Sequence, residues 1–227
     1  MAVVIKAGVL LAAVRLFAQA QLSPAMVDLL AILPLISMVW GNLTAMRQWS
    51  FRRMIAYSSI AHAGYLFYAF LGAGETRFTA VVFYVLAYGV MNLLAFASLP
   101  RAADDAVSDH LDHLRGLFQR DRAGALMIGL AMLSLAGIPP LPGFVAKFLI
   151  FKNVIAAGHT LYAVLGLVAS YLGIYFYLRV IQYLFMSTRA PAAEIATTQS
   201  AALGASVLCL VPAVVVSVLP GWVLGLL

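Results

Sequence analysis

Residues 123–146, AGALMIGLAMLSLAGIPPLPGFVA, hold no Asp, Glu, Lys or Arg, and the run ends against Lys147. A helix of that length is enough to cross the roughly 30 Å hydrocarbon core of a bilayer. Its centre does not read as regular helix, because Gly137, Pro139, Pro140, Pro142 and Gly143 fall within eight residues. Proline lacks an amide donor and clashes with the preceding turn, so the pattern predicts two half-helices joined by a break. Such a break survives inside a membrane only where protein or water meets its freed backbone groups.

The rest of the chain repeats the uncharged theme. Five more stretches lack acids, lysine and arginine: 29–46, 54–74, 78–100, 153–178 and 195–227. With 64% of 227 residues apolar and only 10% charged, a water-soluble fold is excluded and little mass remains outside the bilayer. The runs predict an all-α, polytopic membrane bundle of about seven transmembrane helices, at roughly 3–20, 26–46, 53–73, 78–99, 124–157, 161–186 and 199–226. Apolar runs of this length lack the period-two alternation of a membrane barrel. The chain reads as one transmembrane domain, 1–227.

Arginine placement predicts orientation. Arg47, Arg52, Arg53, Arg101, Arg115, Arg120, Arg122 and Arg189 collect on one side, against Arg15 and Arg77 on the other. By the positive-inside rule the first side is cytoplasmic, which puts the N-terminus inside and the C-terminus outside. The hydrophilic stretch 100–122 then lies along the cytoplasmic surface as an amphipathic loop, with Leu111, Leu114, Leu117 and Phe118 as its apolar face. The surplus of six positive charges therefore marks loops, and nucleic acid is not an expected partner. A signal peptide ending at Ala18-Gln19-Ala20 is a competing reading of the N-terminus, but Arg15 interrupts its apolar core.

Lys147 is the position that most needs an explanation, since a lysine in the hydrocarbon costs from about 2.5 kcal/mol upward and lines a polar path or finds a partner. Freed carbonyls and half-helix ends beside it are the materials of an ion site; a proline kink with a snorkelling lysine is the bland alternative. His62 sits near the centre of the third predicted span, among Ser58, Ser59 and Tyr65. Histidine titrates near neutrality and could relay protons there, or be one buried side chain bonded to a neighbouring helix. Lys6 lies in the apolar run VVIKAGVLLAAV and could be an interfacial anchor. Asn42 and Asn92 read as interhelical hydrogen-bond glue, and Tyr171, Tyr175, Tyr177 and Arg179 as an aromatic belt or a functional stripe. No P-loop, dinucleotide fingerprint, nucleophile elbow or ligand spacing for metal, haem or iron–sulfur appears, and Cys209 is alone.

Three blocks carry a resemblance. Gly41-Asn42-Leu43-Thr44-Ala45-Met46-Arg47-Gln48, followed by Arg52-Arg53-Met54-Ile55-Ala56-Tyr57-Ser58-Ser59-Ile60-Ala61-His62-Ala63-Gly64-Tyr65, resembles the antiporter-like membrane subunits of respiratory complex I. Leu133-Ser134-Leu135-Ala136-Gly137-Ile138-Pro139-Pro140, with Gly143-Phe144 and Lys147-Phe148, is similar to that family's discontinuous helix and channel lysine. Ile174-Tyr175-Phe176-Tyr177-Leu178-Arg179-Val180 is similar to the helix that follows.

The resemblance implies proton translocation through inverted repeats with broken helices, coupled to NADH oxidation and quinone reduction in other chains. On that pattern Lys147 matches the lysine of the second half-channel, Lys6 the lysine of the connecting helix, and His62 falls in the polar axis. It implies no cofactor in this chain, with NADH, FMN, iron–sulfur clusters and quinone in partner subunits. The implied setting is the bacterial plasma membrane, with other membrane subunits, lipid and protons as partners. A sodium–proton antiporter complex or a membrane-bound hydrogenase is the alternative assembly, and a non-conducting structural subunit a third. Family members are about twice as long, with about fourteen helices in two repeats, so this chain corresponds to a C-terminal half: a truncated gene model, a fragment, or a split subunit whose other half is a separate chain.

Overall fold

The computed structural model describes residues 23–72, 76–100 and 109–187, together with positions 8, 9, 12, 13 and 204. Helices are α1 (Pro24–Met46), α2 (Phe51–Tyr68), α3 (Thr76–Ala97), a short α4 (Leu117–Arg120), α5 (Arg122–Ala136), α6 (Pro142–Ala156) and α7 (Thr160–Phe185). Three-residue and four-residue 3₁₀ turns at Ala69–Leu71 and Leu111–Leu114 complete the order. Among the described residues no strand forms beyond one isolated bridge between Ser50 and His110.

Four segments are long and apolar enough to span a membrane: Ala25–Met46, Phe51–Leu71, Thr76–Ala97 and Thr160–Phe185. They coincide with four of the expected spans. The expected span 124–157 is two helices, α5 and α6, separated by Gly137 to Leu141. The expected helices 3–20 and 199–226, and with them Lys6 and Cys209, lie outside the described residues apart from the isolated positions named above.

Local chemistry starts each helix. Ser23 accepts from Met26 N at 3.4 Å, and Pro24 occupies the first turn, where its missing N–H costs nothing. Ser50 accepts from Arg53 N at 3.1 Å at the start of α2, and Asp121 from Gly124 N at 2.9 Å at the start of α5. Asp109 reinforces the α2 start, accepting from Arg52 N at 2.9 Å and from the Ser50 hydroxyl.

The bundle is assembled by small residues and sealed by aromatic ones. α1 packs along α2 and against α7; α3 packs on α5 and α6, which both reach α7. At Gly41 a Cβ would meet Ala61 N at 2.7 Å, and at Gly64 it would meet Pro34 O at 2.7 Å, so glycine lets the α1 and α2 backbones approach. Outward positions are apolar: Leu29, Ile36 and Trp40 of α1, Leu93 of α3, and Val168 and Tyr171 of α7 are each more than half exposed. Inward positions include Asn42, His62, Ser134 and Lys147, all buried. Apolar outside and polar inside is the distribution a bilayer solvent selects.

Residues 109–121 cross the α1–α2 corner. Phe51 N donates to Asp109 O at 2.7 Å and Leu111 N to Trp49 O at 2.8 Å, which pins the segment. Leu111, Leu114 and Leu117 turn inward and are buried, while Phe118 packs on Phe185 with ring centres 4.8 Å apart. Arg47, Arg52, Arg53, Arg115, Arg120 and Arg122 gather around this end of the bundle; Arg77 begins α3 at the other.

Candidate functional site

The break is organised by complete accounting of helix-end carbonyls. α5 leaves four of them, on Leu133, Ser134, Leu135 and Ala136, without intrahelical partners. Gly137 turns left-handed at φ 87°, and its N–H goes to Ser134 O at 2.9 Å while Ile138 N goes to Leu133 O at 3.1 Å. That is the Schellman termination, which satisfies two of the four. Lys147, one and a half turns into α6, satisfies the others: Nζ donates to Leu135 O at 3.2 Å and to Ala136 O at 3.1 Å. An ammonium at a helix C-terminus also meets the negative end of the helix dipole.

The other lip of the break is equally fitted. Pro142 opens α6, and Gly143 N donates to Ser134 Oγ at 3.0 Å, tying the second half-helix to the first. A Cβ on Gly143 would collide with the Ser134 carbonyl, and one on Gly137 would lie 3.2 Å from Lys147 Nζ. Pro139 and Pro140, joined by a cis peptide bond, form the exposed outer edge of the turn.

Lys147 is 8% exposed. Its Nζ lies 5.1 Å from the centre of the Tyr65 ring, and it makes no ion pair among the described residues. Beyond Tyr65 stands His62, whose ring meets Tyr65 edge to face at 5.6 Å and leans on Tyr88 at 4.6 Å. His62 Nδ1 lies 2.7 Å from Tyr84 Oη and Nε2 lies 3.0 Å from Tyr177 Oη. A neutral imidazole has one donor and one acceptor nitrogen, so one tyrosine gives a proton to the bond and the other receives one. Asn42 Nδ2 donates to Tyr65 Oη at 3.2 Å and to Ala169 O at 2.9 Å, joining α1, α2 and α7.

Two spaces adjoin this cluster. A groove of about 340 Å³ between α6 and α7 has Lys147, Gly137 and Ser170 at its base and Phe144, Phe148 and Tyr171 at its rim. A void of about 10 Å³ touches His62, Tyr84, Tyr88, Leu135 and Gly143. That is the room one water needs.

The structure thus sets Lys147 and His62 in one buried cluster, with Tyr65 between them. Gly137, Pro139, Pro140, Pro142 and Gly143 form the break beside it, and Lys6 lies outside the described residues. Asn42 is interhelical, as expected. Asn92 is not: its Nδ2 turns back to Tyr88 O at 2.7 Å in its own helix, the i−4 bond open to a short polar side chain. Tyr171 and Tyr175 face outward, at 69% and 60% exposure, while Tyr177 on the same helix is buried against His62. Tyr65 is visible beside His62 in the sequence, but Tyr84 and Tyr88 are not; tyrosine inside a span carries no mark that separates a buried hydroxyl from an interfacial one. Among the described residues no three His, Cys, Asp or Glu side chains converge.

Fold and site together define a multi-pass membrane protein with an interrupted helix and a lysine buried at the interruption. The profile for the transmembrane region of NADH:quinone oxidoreductase and Mrp antiporter subunits matches residues 1–173. The chain belongs to that family. NADH-quinone oxidoreductase subunit N of Pelobacter propionicus is 45% identical over 187 residues, which are 82% of this chain and 40% of that protein. A chain of respiratory complex I from Thermus thermophilus, solved with bound aureothin, aligns with a TM-score of 0.73 and 37% identity over 87% of this chain and 45% of its own. A chain of the membrane-bound sulfane sulfur reductase, an archaeal respiratory membrane complex, aligns at 0.81 over 96% of this chain and 45% of its own; at 22% identity that likeness is one of fold. The chain spans less than half the length of the relatives it matches.

Proposed function

We propose that this chain is the C-terminal portion of a proton-translocating subunit of NADH-quinone oxidoreductase, of the subunit N type, and that Lys147 and His62 carry protons. The observation that carries the reading is the pair of bonds from Lys147 Nζ to Leu135 O and Ala136 O. A protonated lysine gives two charge-assisted hydrogen bonds to the end of α5, whereas a neutral amine gives weaker ones. Protonation of Lys147 therefore strengthens the closure of the break, and proton loss loosens it.

In this reading the chain supplies no redox chemistry. NADH oxidation and quinone reduction, with NADH, FMN, iron–sulfur clusters and quinone, belong to partner subunits, and the chain packs with other membrane subunits of the complex in the bacterial plasma membrane. Lys6 would be the connecting lysine toward an N-terminal half, which this chain or a separate one would supply. Residues 1–227 act as one transmembrane domain. The end carrying 100–122 faces the cytoplasm, as does the N-terminus, and the C-terminus faces outward, on the arginine distribution.

Replacing Lys147 with alanine in the assembled complex, and measuring proton pumping beside quinone reductase activity, tests the assignment. Loss of pumping by about tenfold or more is expected; undiminished rates of both overturn it. The matching profile also covers Mrp antiporters, so a cation-exchange complex is the second reading. Sodium-dependent transport by the assembled complex would favour it.

A further inference from the structure

The C-terminal end of α7 carries a second concave site, about two and a half turns beyond Ser170. Its volume is about 600 Å³, and it is lined chiefly by Tyr175, Arg179, Gln182 and Tyr183 of α7 and by Met186 just past its end, faced by Trp49 from the α1–α2 turn. Arg179 forms the floor. Its Nη1 donates to Met46 O at 2.9 Å, its Nη2 bonds Gln48 O, and its guanidinium lies 5.5 Å from the Trp49 ring centre. Its Nε is buried and has no acceptor among the described residues. Arg115 stacks over Tyr183 at 5.4 Å, and its Nε also lacks an acceptor there.

The lining is chemically one-sided. Trp49 offers an indole N–H, Tyr175 and Tyr183 offer hydroxyls, and Gln182 an amide; none of these four side chains has a hydrogen-bond partner among the described residues. Among the described residues no acid lines the groove. Asp109 is engaged in the α2 start and Asp112 lies 3.2 Å from His110. Among the described residues at this end, Arg47, Arg52, Arg53, Arg115, Arg120, Arg122 and Arg179 outnumber Asp109, Asp112 and Asp121. Four side-chain donors unengaged among the described residues, around a guanidinium, suit an anion with several acceptor oxygens. The groove also continues onto the outward apolar stripe of Tyr171, Tyr175 and Leu178, which are 69%, 60% and 43% exposed.

We propose that this groove seats the phosphate diester of an anionic phospholipid, with its headgroup over Arg179 and its acyl chains along Tyr171, Tyr175 and Leu178. Basic pockets between membrane helices take such headgroups, and tryptophan and tyrosine mark the headgroup level. A zwitterionic lipid fits less well, because its cation would lie near the Arg179 guanidinium, which already occupies the Trp49 face, and no carboxylate among the lining residues pairs with it. A free phosphate would leave the apolar wall unused.

Photo-activatable phosphatidylglycerol and phosphatidylcholine, each added to the assembled complex in its membrane, test it by mass-spectrometric mapping of adducts. The anionic probe should label the peptide spanning Tyr171 to Met186 about fivefold above the zwitterionic one. Gln182→Glu places an acid in the groove without touching the bonds of Arg179, and should bring the two probes level; Gln182→Leu, the neutral control, should keep most of the preference. Equal labelling in the native complex overturns the proposal. So does full competition by inorganic phosphate, which marks a site for soluble anions, or retained preference in Gln182→Glu. Replacement of lipid adducts by cross-links to an acidic segment of a partner subunit overturns it as well.

Discussion

Lys147 Nζ donates to Ala136 O at 3.1 Å across the helix break, so the side chain of one half-helix closes the open end of the other. With Leu135 O also bound, every terminal carbonyl of α5 has a donor. The lysine is thus a structural cap as well as a titratable group, and its two roles separate by substitution.

Lys147→Arg keeps a cation and donors at the α5 end, yet a guanidinium does not give up its proton. The complex should assemble with thermal stability within about 1 kcal/mol of native, while proton pumping falls by about tenfold or more. Lys147→Met should also lose pumping and in addition cost about 1–3 kcal/mol for each carbonyl left unpaired. Thermal unfolding of the purified complex beside a pumping assay distinguishes the two. Normal pumping by the arginine variant would remove the protonation role and leave the cap.

Gly137→Ala forces a Cβ into a left-handed residue at φ 87° and against the lysine, 3.2 Å from Nζ. A destabilisation of about 1–2 kcal/mol is expected, with displaced Lys147 and reduced pumping. Gly143→Ala is the more severe change, because its Cβ meets the Ser134 carbonyl of the facing half-helix, which cannot swing aside as a side chain can. The amount of assembled complex recovered from membranes should rank native, Gly137→Ala, Gly143→Ala; a reversed order would show that the backbone conformation, not the close approach, dominates.

Tyr65 stands between the lysine and the histidine, offering Lys147 its ring and Asn42 its hydroxyl. Tyr65→Phe removes the hydroxyl alone, and Asn42 keeps its bond to Ala169 O. Pumping should stay within about twofold, since the ring face and the apolar seal persist. Tyr65→Leu removes the ring and should cost about tenfold with a loosened core, the destabilisation staying below the roughly 3–5 kcal/mol of truncating a buried aromatic to alanine. A larger loss in the phenylalanine variant would make the hydroxyl a station in the path.

The sequence shows the break because glycine and proline act locally: their backbone constraints are the same wherever the chain goes. The helical spans are equally visible, since one long uncharged run after another has a single solution in lipid. The surroundings of His62 are not. Tyr84 and Tyr177 reach it from 22 and 115 residues away in the chain, on α3 and α7, and that meeting is fixed by how the helices pack rather than by any local pattern. The cap function of Lys147 is hidden for the same reason: the lysine is visible, but the two carbonyls it serves are backbone, which every residue has. Arg179 shows the limit from the other direction, as its place in an aromatic stripe says nothing of the Met46 and Gln48 carbonyls it holds.

Asp109 and Ser50 jointly start α2, and their coupling is measurable. Asp109 accepts from Arg52 N and from the Ser50 hydroxyl, while Ser50 Oγ accepts from Arg53 N. Each residue thus orients the other toward a different orphan donor of the first turn. Ser50→Ala and Asp109→Ala should each cost about 1–2 kcal/mol, the range of lost helix caps. The double variant should cost less than the sum by about 0.5 kcal/mol or more, because the first substitution already frees the partner side chain. Asp109 also belongs to the strap whose backbone pairs with Trp49 and Phe51, so its loss should expose the 109–121 segment to protease faster than the loss of Ser50 does. Additive costs with equal proteolysis would mean that the two caps act separately and that backbone pairing alone holds the strap.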